Sequence, residues 1–356
     1  MPPRSPPGSH DNNFGVLRLA FASMVIISHV PEQLDGDRHR ELLLNLFHTI
    51  SFGDLAVDFF FMISGYLITL SWRSGHRAID FLWRRVRRIY PAFLVVSLIG
   101  FLVVSPLVGA RLSDLTPRAI AVDIARLMLL CSIDAPGAFP HMPSSLMNAS
   151  VWTLRYEFRC YLLVMLLGAI GFLGRRWLIL AGAALLLAGA LMPPIGDLPP
   201  VLTNTFGWPH ETMRLTGLFL AGASFLLFRD RIPWDAKLAA LALAMMILLL
   251  FTPLAETGVA IFGGYAVFWL ATELKSPWLA RINNRTDLSY GVYLYAWPIA
   301  NTVIYFAPKI PVVILGLSTL AGALGMAALS WILIEKPALS LKRYSLVRLH
   351  NVSQEI

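Results

Sequence analysis

The stretch VLRLAFASMVIISHV, residues 16–30, has the composition of a membrane span but carries Arg18 and His29 among apolar or small residues. An ionisable side chain within a bilayer is costly, so its default interpretation is functional. Eleven helical steps of about 100° place these two side chains on one face, roughly 16 Å apart. That spacing suits a long ligand that binds a cation at one end and reacts with a base at the other. The alternative is that Arg18 reaches the near membrane surface and His29 lies at the far one.

The composition of the whole chain indicates a membrane protein. Of its 356 residues, 57% are hydrophobic and only 14% are charged, whereas soluble domains have about 25% charged residues. Apolar runs near the length of a membrane span, about 20 residues, recur along nearly the whole chain. We therefore predict an all-α polytopic protein with about ten transmembrane helices over residues 14–337. Residues 1–13, rich in proline and polar groups, are predicted to be a disordered cytoplasmic tail, and residues 338–356 a second cytoplasmic tail.

The positive charge is distributed in a way that sets the orientation. The formal net charge is +8, but most of the Lys and Arg residues fall in segments on one side of the predicted spans. The positive-inside rule then places both termini in the cytoplasm, and this asymmetry argues against a nucleic acid as partner. Pro31 is expected to end the first span and Pro337 the last one.

Several polar residues lie within the second and fourth predicted spans. Asp58 is deep in the second span and needs a partner. Ser64 and Gly65 could let another backbone or a thin ligand approach closely. Arg155 and Glu157 point to different sides of the fourth span. They indicate either a structural ion pair with a neighbouring helix or a polar site between helices.

The segment FLWRRVRRIYPAF carries the strongest positive cluster, made of Arg84, Arg85, Arg87 and Arg88. Such a cluster beside a span can fix the topology or contact anionic lipid. It can also bind phosphate, because guanidinium groups match phosphate oxygens. The composition alone leaves these alternatives open.

Two further candidates lie near the end of the chain. Tyr290 is close to the inner end of the ninth predicted span, where it could belong to an interfacial aromatic belt or to a site. Glu335 follows the tenth span, and a helix C-terminus disfavours a carboxylate. We therefore expect Glu335 to have a cationic partner. No metal site is predicted.

Six segments together resemble the membrane-bound acyltransferase 3 family, which includes bacterial O-acetyltransferases that act on sugars and other hydroxyl acceptors. They extend from Arg18 to Pro337 in the family's order. They are Arg18 and His29 with ten residues between them, VDFFFMISGYLI, RRVRRIYPAF, VWTLRYEFRCYLL, DLSYGVYLYAWPI and WILIEKP.

The resemblance implies a ten-helix core in the bacterial cytoplasmic membrane. It also implies that acetyl-CoA or another acyl-CoA is the cytoplasmic donor. The acyl group would pass to a hydroxyl-bearing acceptor, a sugar, glycan or glycolipid, at the outer side. Partners are then the lipid bilayer, acyl-CoA and the acceptor.

The resemblance also implies roles for individual residues. His29 matches the catalytic histidine and Arg18 its partner, and Glu157 matches the glutamate of the fourth span. Two further motifs, the arginine motif and the motif of the second span, are implied to bind the acyl-CoA donor. Their residues are Arg84, Arg85, Arg88, Ser64, Gly65 and Tyr66. Glu335 matches the terminal glutamate. Many members have a histidine where this chain has Ala296, so no chemistry is assigned there.

A competing interpretation is a transporter or flippase for a polar or lipid-linked substrate. In that case Arg18, Asp58, Arg155 and Glu157 would line a substrate path. Many transporters consist of two related halves, and no convincing internal repeat is present in this chain. For acyl transfer, attack of an alcohol on a thioester needs a base near neutral pH, for which histidine is suited.

Overall fold

The computed structural model describes residues 12–75, 77–133, 135–193, 203, 207–284 and 286–341. Within these ranges the regular elements are helices and no strand is present. The prediction of an all-α protein is therefore confirmed. Most of the predicted N-terminal tail and residues 342–356 of the predicted C-terminal tail lie outside the described residues.

The longer helices are numbered here in chain order. They are α1 (Phe14–Asp35), α2 (Leu42–Phe47), α3 (Phe52–Arg73), α4 (Ala78–Leu107), α5 (Pro117–Met128), α6 (Leu154–Ala169), α7 (Arg176–Ala190), α8 (Pro209–Leu227), α9 (Ala236–Leu249), α10 (residues 255–272), α11 (Ser289–Phe306) and α12 (Val312–Ser340). Short 3₁₀ turns occupy Leu112–Asp114, Ser150–Thr153, Phe172–Gly174 and Leu279–Arg281. π-helical turns interrupt three helices, at Gly100–Val104 in α4, Val259–Gly263 in α10 and Trp331–Glu335 in α12.

Four of these helices are long and apolar enough to cross a membrane: α1, α3, α4 and α12. Helices α7 and α9 are apolar but shorter. All ten predicted spans coincide with helices, namely these six together with α6, α8, α10 and α11. The membrane character of the chain is thus supported, while the number of crossings stays a prediction.

The structure corrects the predicted effect of two prolines. Pro31 lies inside α1, which continues to Asp35 and ends where the left-handed Gly36 donates its N–H to the carbonyl of Glu32. Pro337 also lies within a helix, at one of the first two positions of its last segment, Lys336–Ser340. This last segment of α12 follows directly on the π-helical turn Trp331–Glu335, so the helix continues past the proline.

Close packing of α3 on α8 fixes the centre of the bundle. A Cβ at Gly65 would lie 1.9 Å from the carbonyl oxygen of Phe219, and one at Gly222 would lie 1.9 Å from that of Met62. The two backbones therefore touch, as small residues permit in membrane helices. Helix α1 also packs against α3, and it contacts α11 and α12 as well.

Candidate active site

A cavity of about 290 Å³ lies among α1, α3, α4, α6 and α11. We call it the central cavity. Its lining includes eight of the residues singled out in the sequence: Arg18, Ser64, Arg84, Arg85, Arg87, Arg88, Glu157 and Tyr290. These residues come from five helices that are far apart in sequence, so the fold gathers them into one site.

One end of the central cavity is basic because α4 begins before the arginine cluster and carries it on its first turns. The buried Nε and Nη2 atoms of Arg84 and the buried Nε of Arg85 have no hydrogen-bond partner among the described residues. The Arg85 guanidinium lies over the rings of Phe81 and Tyr161, 5.6 and 5.9 Å from their centroids. These unpartnered donors of Arg84 and Arg85 can bind an anion.

Arg88 belongs to the same cluster but is already paired. Its Nη2 lies 2.5 Å from the Asp287 carboxylate, and its Nη1 lies 3.4 Å from the carboxylate of Glu335. Arg18 forms an ion pair with the same oxygen of Asp287. The network ties α1, α4 and α12 to the residues just before α11. It supplies the cationic partner that was expected for Glu335.

Asp287, just outside α11, is the centre of this network. Burial alone would raise the pKa of this carboxyl, but the charges of Arg18 and Arg88 hold the pKa well below its usual value. The Ser289 hydroxyl also donates to it. Asp287 is therefore ionised at neutral pH and neutralises part of the charge of the two arginines.

The middle of the central cavity has one carboxylate on an otherwise largely apolar wall. Glu157 accepts hydrogen bonds from the Ser64 hydroxyl, at 3.0 Å, and from the Tyr161 hydroxyl. Nearby on the lining are Phe60 and Leu154. A carboxylate with two oxygens keeps further capacity to accept hydrogen bonds from a ligand.

Three hydrogen-bonded residues join the wall of the central cavity to that of a small separate crevice, and we call them the partition: Ser150, Thr153 and Tyr293. The Thr153 and Tyr293 hydroxyls lie 2.7 Å apart, and the Tyr293 hydroxyl donates to the carbonyl of Ser150. Thr153 and Tyr293 line the cavity, whereas Ser150 lines the crevice.

His29 lies in that small crevice and not in the central cavity. Its Nδ1 is 2.9 Å from the carboxylate of Glu32, which in turn lies 3.1 Å from Nε of Arg38. The ring also packs edge-to-face on Trp297, with centroids 5.2 Å apart. A histidine paired with a carboxylate through Nδ1 can act as a base through its other nitrogen, Nε2.

Five of the singled-out residues lie outside both spaces, and one of them is Glu335, which belongs to the network around Asp287. Gly65 contacts the backbone of α8, and Tyr66 stacks on Phe268 with centroids 4.9 Å apart. Asp58 is fully buried and paired with Arg214 of α8 at 2.5 Å. The Arg155 guanidinium lies over the Tyr156 ring.

Three residues at the two sites were missed in the sequence. Glu32 follows His29 by three residues and Tyr161 follows Glu157 by four, so helical spacing alone could have paired them. Asp287 pairs with Arg18 across 269 residues. No local signal links residues so far apart.

Comparison with known proteins shows the family of this chain. A family model described as an acyltransferase domain matches residues 11–335. The chain belongs to the acyltransferase 3 family. The match covers α1, α3, α4, α6 and α11, the five helices among which the central cavity lies, and the family resemblance found in the sequence is confirmed.

Two relatives extend over nearly the full length of this acyltransferase 3 chain. A protein named O-acetyl transferase from Shigella phage Sf6 is 29% identical over 341 residues, covering 91% of this chain and 95% of the relative. Nodulation protein 10 from Rhizobium leguminosarum bv. viciae is 28% identical, covering 97% of each. No solved structure gives a significant match.

Proposed function

We propose that this protein is a membrane O-acyltransferase. It would move an acyl group, with acetyl as the first candidate, from cytoplasmic acyl-CoA to a hydroxyl of a sugar, glycan or glycolipid at the outer side of the bacterial cytoplasmic membrane. The proposal includes about ten membrane crossings with both termini in the cytoplasm. One observation carries it: α1 connects a cavity with unpartnered arginine donors to a histidine paired with a carboxylate.

The arginine end of the central cavity is proposed to bind the phosphates of CoA. Arg84 and Arg85 have free buried N–H donors there, which a phosphate would satisfy with charge-assisted hydrogen bonds. Arg88 is held by two carboxylates, so its proposed role is to keep the cluster in place.

The rest of the cavity suits the pantetheine arm rather than a nucleotide. Its volume, about 290 Å³, is at the small end for ligand pockets, which measure about 300–1,000 Å³. From Ile68 to Val57 the lining extends over eleven helical steps of α3, a rise of about 16 Å. Glu157, on the wall between, can accept a hydrogen bond from an amide N–H of the arm.

In the proposed reaction the acceptor oxygen attacks the thioester carbonyl carbon while Nε2 of His29 takes the hydroxyl proton. The C–O bond forms, the C–S bond breaks and the CoA sulfur receives the proton from the imidazolium. Glu32, held by Arg38, keeps the proton of the neutral ring on Nδ1 and stabilises the imidazolium. No covalent enzyme intermediate is needed.

The partition implies a movement during each turnover. Thr153 and Tyr293 line the central cavity and Ser150 lines the crevice that holds His29, so in this proposal the acyl group reaches the base only when the hydrogen bonds among them open. The closed partition would keep water on the acceptor side away from the thioester that is bound on the donor side.

The activity is tested by incubating the purified protein with radiolabelled acetyl-CoA and a membrane extract. Label should enter a carbohydrate or glycolipid with the wild type, and His29→Ala should abolish this while the protein stays folded in the membrane. His39→Ala, in an exposed loop at the same end, is the matched control. Normal turnover by His29→Ala would overturn the proposed role of this residue.

The same assay distinguishes arginines that bind the donor from arginines that stabilise the fold. Arg85→Ala should chiefly raise the apparent donor KM, because its free donors face the cavity. Arg88→Ala should chiefly lower stability, because it leaves Glu335 without its cation and Asp287 with Arg18 alone. Movement of substrate without consumption of acetyl-CoA would favour the transporter instead.

A further inference from the structure

A second recess lies at the same end of the bundle as the arginine cluster, where α3, α6 and α7 meet. We call it the basic recess, and its volume is about 760 Å³. Trp72, on its wall, packs edge-to-face on Phe81 of α4 and lies against Gly168 of α6. The basic recess and the central cavity share no lining residue, so the two are separate sites.

The lining of the basic recess is positively charged without compensation. It contains Arg73, Arg175 and Arg176 but no acidic residue. In the part of the chain that the structure describes, none of the three forms an ion pair. The Arg175 and Arg176 guanidinium groups lie over the rings of Phe172 and Phe228, each 5.2 Å from the centroid. Stacking of this kind leaves the edge of each guanidinium available to an anion.

An apolar groove of about 600 Å³ adjoins this recess between α7, α8 and α10. Trp177 lines both spaces. The groove exists because alanines face one another across it, including Ala184, Ala221 and Ala260. From Trp177 to Leu191, the residue after α7, the groove extends over fourteen helical steps, a rise of about 21 Å, which exceeds the roughly 15 Å of one leaflet's hydrocarbon.

The combined shape fits an amphiphile with a negative head and a long apolar chain. Arginines that served only to orient the protein would not need to converge on one recess, nor would the recess need to adjoin an apolar groove. Basic pockets between membrane helices bind the head groups of anionic lipids. The charge of the recess therefore selects the head group, and the groove selects the chain.

We propose that the basic recess and the apolar groove together bind one anionic phospholipid. Its phosphate-containing head group would contact Arg175 and Arg176, and one acyl chain would lie along α7. The bound lipid would fill the gap between α7 and α10. This site is independent of acyl transfer.

Native mass spectrometry of the detergent-purified full chain tests this proposal, with phosphatidylglycerol and phosphatidylcholine as probes. We expect one phosphatidylglycerol to be retained at least tenfold more tightly than phosphatidylcholine. The double variant Arg175→Gln/Arg176→Gln should remove that preference. Arg77→Gln/Arg281→Gln, which changes two exposed arginines outside the recess, should keep it.

The apolar part is tested separately with Ala184→Trp, which fills the groove. It should weaken retention of both lipids, while Leu185→Trp, at a neighbouring position that is 74% exposed and outside the groove, should not. Equal retention of the two lipids by the wild type would overturn the head-group assignment. Unchanged binding by Ala184→Trp, or displacement of the lipid by millimolar inorganic phosphate, would overturn the amphiphile site.

Discussion

His29 differs from an ordinary interfacial histidine by its partner. A histidine at a membrane surface commonly faces water or packs against aromatic rings. Here Nδ1 is 2.9 Å from a carboxylate that a second residue, Arg38, also holds. The ring is thus oriented before any substrate arrives, which is what a positioned base needs.

This residue-scale account predicts the effect of Glu32→Gln. The amide keeps the size of the side chain but cannot stabilise the imidazolium, so kcat should fall about 10- to 100-fold. That is less than the roughly 10²- to 10⁴-fold that a general base contributes. The KM values for donor and acceptor should stay unchanged, because neither substrate contacts Glu32 in this scheme.

Steady-state kinetics with varied acetyl-CoA provides the measurement for Glu32→Gln. Asp35→Asn is the control, since Asp35 lies on the same helix end but pairs with Arg40. Wild-type kcat in Glu32→Gln would show that Glu32 does not position the base.

Asp287 gives a prediction about stability and pH. Asp287→Asn should lower the free energy of unfolding by about 2 kcal/mol. That is less than the 3–5 kcal/mol for breaking a fully buried ion pair, because the Asp287 side chain is 20% exposed. The pKa of this carboxyl is lower in the folded protein than in the unfolded chain, where it is about 3.9. The stabilisation of the folded protein by the ionised Asp287 is therefore complete above that value and is lost as the pH falls below it.

Thermal unfolding in detergent between pH 3 and pH 8 checks this dependence. The difference in Tm between wild type and Asp287→Asn should be constant from pH 5 to pH 8 and shrink only below about pH 4. A difference that disappears already between pH 5 and pH 7 would contradict the network around Asp287.

At the scale of single elements, α1 shows both the reach and the limit of sequence analysis. Helical periodicity predicts that Arg18 and His29 share a face, and the structure places them at different spaces along that helix. The predicted stop at Pro31 was wrong, because a proline costs a helix one hydrogen bond and neighbouring helices can hold the chain in place. Glu335 could be predicted to need a cation, but not that Arg88, 247 residues away, supplies it.

Helix α11 carries the prediction for the partition. Tyr293→Phe removes the hydroxyl that joins Thr153 and Ser150, so the partition should open more often. Two hydrogen bonds worth about 1 kcal/mol each set the upper limit of the change. Release of CoA from acetyl-CoA in the absence of acceptor should rise several-fold.

A thiol assay for free CoA measures this leak. Tyr295→Phe, a buried tyrosine of the same helix that does not line the central cavity, should leave it unchanged. Equal CoA release by Tyr293→Phe and wild type would mean that the partition does not limit access.

At the scale of the whole molecule, composition and apolar runs were enough to predict an all-helical membrane protein, and ordered motifs were enough to predict the family. The central cavity was not predictable, because its lining depends on contacts between distant helices, such as that between Ser64 and Glu157. Gly65 and Tyr66 stand next to Ser64 in the motif, yet only Ser64 lines the cavity. A motif names a segment of a helix, whereas packing decides which of its faces meets the ligand.

The proposed orientation makes a prediction for intact cells. In a background with Cys131 and Cys160 replaced by serine, a membrane-impermeant thiol reagent should label Asp37→Cys, beyond α1, but not Ser74→Cys, between α3 and α4. The positive-inside rule places these loops on opposite sides. The reverse labelling pattern would contradict the proposed orientation and the proposal that the donor binds from the cytoplasm.

The central claim is that an acyl group passes from the arginine end of the bundle to His29 at the other end. Sealed proteoliposomes test it, with radiolabelled acetyl-CoA on the arginine side only and an acceptor fraction from membrane extract on the His29 side only. The account predicts that wild-type protein labels the acceptor across the membrane and that His29→Ala does not. Label that appears only when donor and acceptor share one compartment would contradict it.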